Sequence, residues 1–168
     1  MKYSSTVKSA LSAAVLGCLA LGLAPTSAYA ATATANMAIS ATVATNCTVT
    51  AAPLAFGSYS GAAINVSANL TITCTNTTPY NVGLNAGLTT GALVTTRQMG
   101  ITQPAGGLNY SLLVGSFTGA NWGNTTGSWV AGTGNGAAQT LTVYGVLPAG
   151  QFVTPGSYTD TIVATVNY

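Results

Sequence analysis

Few side chains in this protein are capable of chemistry. Lys2, Lys8, Arg97 and Asp160 are its only lysine, arginine, aspartate or glutamate residues, and it has no histidine. General acid–base catalysis and most metal sites are assembled from those residue types. Serine, threonine and tyrosine hydroxyls are plentiful, but a hydroxyl becomes a nucleophile only beside a base, and here no histidine exists to be one. The composition argues against an enzyme and predicts no catalytic, cofactor-binding or metal-ligating residue. It points to a protein that acts by packing and strand pairing.

The cysteines are the remaining reactive groups. Cys18 lies in an apolar stretch near the start, whereas Cys47 and Cys74 lie in the polar remainder. Two thiols without histidine or carboxylate companions make too few ligands for zinc. They are not in a C-x-x-C arrangement, which argues against redox catalysis. In an exported protein a Cys47–Cys74 disulfide is the default expectation, with a stabilisation of roughly 3 to 4 kcal/mol from loop closure.

Export itself is legible at the start of the chain. Lys2 and Lys8 precede an apolar run from Ala10 to Leu23, and Ala28-Tyr29-Ala30, after Pro25, has the small-x-small form of a cleavage site. Residues 1–30 therefore read as a secretory signal peptide. The run is too short and too soon followed by polar chain to span a membrane convincingly. Val15-Leu16-Gly17-Cys18 is a faint lipoprotein box, a minor reading because the apolar run continues past it. Removing residues 1–30 leaves Arg97 against Asp160, a formal balance of zero, in one domain of ordinary size. Such a chain has no electrostatic handle for nucleic acid or anionic lipid, and near-zero charge favours association.

The elements that carry these residues show the period-two alternation of strands. Odd positions from Ala31 to Val43 are apolar, and so are the even positions Ile64, Val66, Ala68, Leu70, Ile72 and Cys74. Tyr80 to Ala86 and Leu108 to Val114 repeat the pattern, Leu141 to Val146 is a further strand, and Leu93 to Met99 a weaker one. Tyr158 to Tyr168 is the cleanest run, and 115–136 reads as loop with one short strand near Trp122. Turn formers such as Pro104-Ala105-Gly106-Gly107 and Pro155-Gly156-Ser157 separate these runs. No amphipathic helix is visible, and the spacing predicts a two-sheet antiparallel sandwich. The last run has no following strand to cover it, and the first is longer than a small sandwich needs, so subunits are expected to complete one another by strand addition.

Several segments form a signature. Its most specific block runs Tyr144-Gly145-Val146-Leu147-Pro148-Ala149-Gly150-Gln151, then Pro155-Gly156-Ser157-Tyr158-Thr159-Asp160-Thr161, and ends Val166-Asn167-Tyr168. Cys47-Thr48-Val49, Leu54-Ala55-Phe56-Gly57-Ser58-Tyr59, Leu108-Asn109-Tyr110-Ser111-Leu112 and Trp122-Gly123 belong to it as well. Together these segments resemble the spore coat protein U domain family, which includes pilins of the archaic, Csu-type chaperone–usher pathway. The resemblance implies an all-β, incomplete immunoglobulin-like sandwich that lacks its last strand and is completed by a donor strand from a neighbouring subunit.

It also implies the partners: a periplasmic chaperone that lends a strand, an outer-membrane usher, and identical or related subunits in a fibre at the cell surface. No nucleic acid, small-molecule substrate or cofactor is implied. Carried onto this sequence, residues 31–43 form the donor extension and 44–168 the pilin domain, with Ala35, Met37, Ile39, Ala41 and Val43 pointing inward from the donor. Ile162, Ala164, Val166 and Tyr168 would edge the groove and meet the chaperone. An ordinary first strand or a disordered mature terminus is the plainer reading of 31–43. Asp160 is expected to stabilise the turn that precedes it, and Trp122, Trp129 and Phe117 form either core or a sugar-stacking platform. The function expected is a structural subunit of an adhesive pilus supporting attachment and biofilm formation; the alternatives are a self-contained coat or matrix protein and a sugar-binding adhesin module.

Overall fold

The computed structural model describes residues 29–101 and 106–168. The expected leader falls almost wholly outside them. Two units can be distinguished, one up to Ser40 and one from Ala41 to Tyr168. In the first, residues 29–40 are exposed and carry no helix or strand.

The second unit is built of antiparallel strands. Its elements among the described residues are β1 (Cys47–Ala51), β2 (Ile64–Cys74), β3 (Pro79–Leu84), β4 (Arg97–Ile101), β5 (Gly106–Val114), β6 (Val130–Thr133), β7 (Ala138–Leu147) and β8 (Ala164–Asn167). One sheet has five strands in the order β1-β2-β7-β5-β4, and the other has three in the order β6-β3-β8. The long β2–β7 ladder, from Ile64 opposite Leu147 to Thr73 opposite Ala138, forms the middle of the larger sheet.

The core follows the alternation in the sequence. Leu70, Ile72 and Cys74 of β2, Tyr80, Val82 and Leu84 of β3, Leu108, Tyr110 and Leu112 of β5, and Val143 and Leu147 of β7 are all buried between the sheets. Fully burying one such side chain contributes about 1.5 to 3 kcal/mol, so these facing rows supply most of the force that holds the layers together. Gly145, in the inward row of β7, leaves space that Leu54 and Phe56 take up; a Cβ at that position would meet both. Trp122 ties the layers through polar contacts as well. Its backbone N–H donates to Leu112 O (2.8 Å) in the larger sheet and its indole N–H to Val82 O (2.8 Å) in the smaller.

Two expectations are corrected. The run Tyr158–Tyr168 is not one strand: Thr159 bridges Gly100 of β4, and only Ala164–Asn167 pair with β3. The cause lies at Asn85. Its N–H donates to Val163 O (3.1 Å), but its carbonyl is taken by the Arg97 guanidinium, so the Val163 N–H bonds to the Asn85 side chain instead and the ladder ends. The weaker run is also shifted, since Leu93 and Thr96 make a tight bridge and the strand begins at Arg97.

The disulfide is present between Cys47 and Cys74, which are direct partners in the β1–β2 ladder with a sequence separation of 27. It fastens the edge strand β1 to its neighbour β2. Replacing both cysteines by serine is expected to lower the unfolding free energy by about 3 kcal/mol, read from urea midpoints. Reductant should bring the wild type down towards the variant and leave the variant unchanged.

Candidate functional site: an open groove and its polar clamp

A groove with a volume of about 1640 Å³ runs along the interior of the second unit. Its floor is apolar and includes Leu70, Leu84, Leu108, Leu112, Val143 and Leu147, and its rims are the segments 51–61 and 151–162. Clefts that hold small ligands measure roughly 300–1,000 Å³ and carry a few convergent polar groups. This one is larger, and the polar groups beside it are already engaged.

The engaged groups include both charged residues of the domain. Arg97 is fully buried. It donates from Nε to Asn85 O (2.9 Å), from Nη1 to Val94 O (3.0 Å), and from Nη2 to Leu84 O (3.0 Å) and Trp122 O (2.6 Å). Burial pushes its pKa down, and the nearby Tyr110 and Asp160 push it back up; a guanidinium stays charged under such shifts. A planar five-donor fork can bind carbonyls from three chain segments at once, which lysine could not.

Asp160 completes the clamp. Its Oδ1 accepts from the backbone of Leu88 (2.8 Å) and Thr161 (2.7 Å), and its Oδ2 from the Tyr110 hydroxyl (2.6 Å). Gly87, with φ of +95°, lies so close that a Cβ would overlap the carboxylate, so glycine serves both the left-handed backbone and the close approach. The expected local turn role of Asp160 is therefore too narrow: it joins the approach to β8 to loop 85–88 and to β5. Burial pushes the Tyr110 hydroxyl well above its ordinary 10.0, and the hydrogen bond to Asp160 pushes the same way.

A second set of polar contacts links the two rims, with Tyr59 on one and Gln151 on the other. Tyr59 Oη donates to Pro148 O (2.8 Å) and accepts from the Gln151 N–H (3.0 Å). The Gln151 side chain accepts from Asn109 N (2.7 Å) and donates to Asn109 O (2.9 Å). Tyr59, Asn109, Tyr110, Pro148, Gln151 and Asp160 all belong to the segments singled out in the sequence, and they converge on the two rims and the floor between them.

The proposed strand residues fall in different surroundings. Met37, Ile39 and Val43 are 82–88 % exposed, and Ala35 and Ala41 are exposed too, in a stretch without regular structure. Ile162, Ala164 and Val166 are half-buried against the core, and Ile162 and Ala164 line the groove. Tyr168 is exposed, beyond the end of β8. The aromatic platform does not form: Trp122 is buried in the core, and Phe117 packs edge-on against Tyr144 at 5.0 Å. Nothing in the sequence foretold the clamp, because a single arginine and a single aspartate so far apart carry no spacing signal.

An all-β, immunoglobulin-like sandwich with an unfilled interior groove defines a recognisable class. The family model for the Spore Coat Protein U domain matches residues 33–165, and the chain belongs to that family. It is similar to "Protein U" of Myxococcus xanthus, 30 % identical over 180 aligned positions, covering 98 % of this chain and 99 % of the relative. Its fold is also that of a chain in the CsuC–CsuE chaperone–tip adhesion subunit pre-assembly complex from the archaic chaperone–usher Csu pili of Acinetobacter baumannii. That match has a TM-score of 0.58 at 23 % identity, covering 76 % of this chain and 41 % of the other. The protein thus spans about two fifths of the length of that solved chain.

The clamp carries a pH signature. Above pH 10 the unfolded chain releases the Tyr110 proton while the folded chain retains it, so stability falls as pH rises through that range. Tyr110→Phe should flatten this alkaline decline and cost about 1 to 3 kcal/mol at neutral pH, because Asp160 Oδ2 loses its donor. Urea unfolding of both proteins, followed from neutral pH to above pH 10, measures both effects.

Proposed function

We propose that this protein is a structural subunit of an archaic chaperone–usher pilus and polymerises by donor-strand exchange. The observation that carries the reading is the apolar groove, bordered by the approach to the edge strand β8, in a domain of this family and fold. A periplasmic chaperone would fill the groove first, and at the outer-membrane usher the extension of another subunit would replace it. Residues 31–43 are the donor, with Ala35, Met37, Ile39, Ala41 and Val43 turned inward once seated. Ile162 and Ala164 line the acceptor, and Val166 and Tyr168 extend its edge. The fibre stands on the cell surface and serves attachment and biofilm formation.

Energetics support a stable join. Burying Met37, Ile39 and Val43 would contribute on the order of 5 to 9 kcal/mol as an upper bound, with about 1 kcal/mol net for each ladder hydrogen bond. Because the seated strand would be part of a sandwich core, its release would require local unfolding and would be slow. The full-length likeness to Protein U keeps one second reading in play, a coat protein complete by itself.

Gel mobility separates the two. Unboiled wild-type material is expected to run as a ladder of detergent-resistant oligomers that collapses to monomer on boiling. Deletion of residues 31–41 should abolish the ladder and leave a monomer that still accepts a strand from a partner. A wild-type chain that stays monomeric and fully ordered without any partner would overturn the pilus reading in favour of the self-contained one.

A further inference from the structure

Phe152 is 97 % exposed, yet the chain around it is fastened. Gln151, immediately before it, is bonded to Tyr59 and twice to Asn109, and Val153, immediately after it, packs on the core. Alternation along this stretch turns Gln151 and Val153 inward and Phe152 outward. A lone exposed apolar side chain is ordinary on a monomer surface. This one stands on the rim segment 151–162 and is itself among the residues that line the apolar groove, as Tyr59 is on the other rim.

The chemistry of a partner here is restricted. Arg97 is buried, and both oxygens of Asp160 are occupied, so the groove presents no free charge. An uncharged, alternating apolar strand is the complementary ligand. Residues 31–43 of this same chain contain no charged residue, and Met37, Ile39 and Val43 lie exposed.

We propose that Phe152 is a contact residue for the strand that fills the groove, and that this strand is residues 31–43 of a second copy of the chain. The ring closes over the seated strand near Tyr59 and removes its own apolar surface from water. The proposal rests on the groove being a strand acceptor and adds to that reading a specific side chain that slows release.

The test uses full-length wild type, Phe152→Ser and Phe152→Leu, each exported and purified as oligomer and as monomer. The thermal midpoint of monomeric Phe152→Ser should equal that of the wild type, because the ring touches little in the monomer. Its oligomers should dissociate in detergent at least about tenfold faster, the lower end expected for exposing one large apolar side chain, and Phe152→Leu should restore most of the wild-type rate. Equal dissociation rates for wild type and Phe152→Ser oligomers would overturn the role of Phe152 and leave strand exchange standing. Absence of detergent-resistant wild-type oligomers would overturn both, and a shifted monomer midpoint would show that the ring serves the monomer's own fold.

Discussion

Five strands in one layer present more apolar surface than three strands in the other can cover, and that mismatch governs the second unit. Leu70, Leu108, Leu112 and Val143 face inward from the larger sheet, and they both pack in the core and line the groove. A sandwich of equal layers would bury these rows against a matching row. Here the segments 52–61 and 151–162, which lack extended strand structure, stand at the margins of the groove. Burial is the dominant favourable term in folding, so an apolar groove left between two sheets is a source of affinity for any strand that fits it.

Keeping such a groove from collapsing calls for rigid rims, and the polar contacts supply the rigidity. A lone buried guanidinium is costly unless its donors are satisfied. Arg97 meets that condition by capturing carbonyls at the end of β3 and in two loops, and in doing so it stops the β3–β8 ladder at Leu84 and Ala164. Asp160 then holds the freed chain against Leu88 and Tyr110. The two charged residues of the domain are thus committed to its architecture, and the surface is left to uncharged polar side chains. Near-neutral surfaces of this kind associate readily.

Much of this was legible beforehand. Strands β2, β3, β5 and β7 stand where period-two alternation placed them, because each has one face against the core and a one-residue slip would turn its apolar row to water. Cys74 faces inward in phase with Leu70 and Ile72, as its even position required. The run from Tyr158 to Tyr168 misled for a physical reason: alternation records which side chains turn inward, and a segment that crosses from one sheet to the other can keep that phase while its hydrogen bonds change partner. The regular alternation of residues 31–43 has no matching strand among the described residues, so its pattern speaks only of a surface that a strand could bury.

Periodicity by itself determined the fold class, and composition bounded the chemistry at hand. A domain with one arginine, one aspartate and no histidine has almost nothing with which to do acid–base chemistry, and repeated two-residue alternation without helical periodicity forms sheets. Only the tertiary structure decided what those two charges do, which strands share a layer, and that an unfilled groove lies between them. Those outcomes depend on residues far apart in the chain meeting in space, as Arg97 meets Leu84 and Trp122, and Asp160 meets Leu88 and Tyr110. Hydrogen bonds between such distant groups leave no period in the sequence, whereas burial of one face leaves its mark on every second residue.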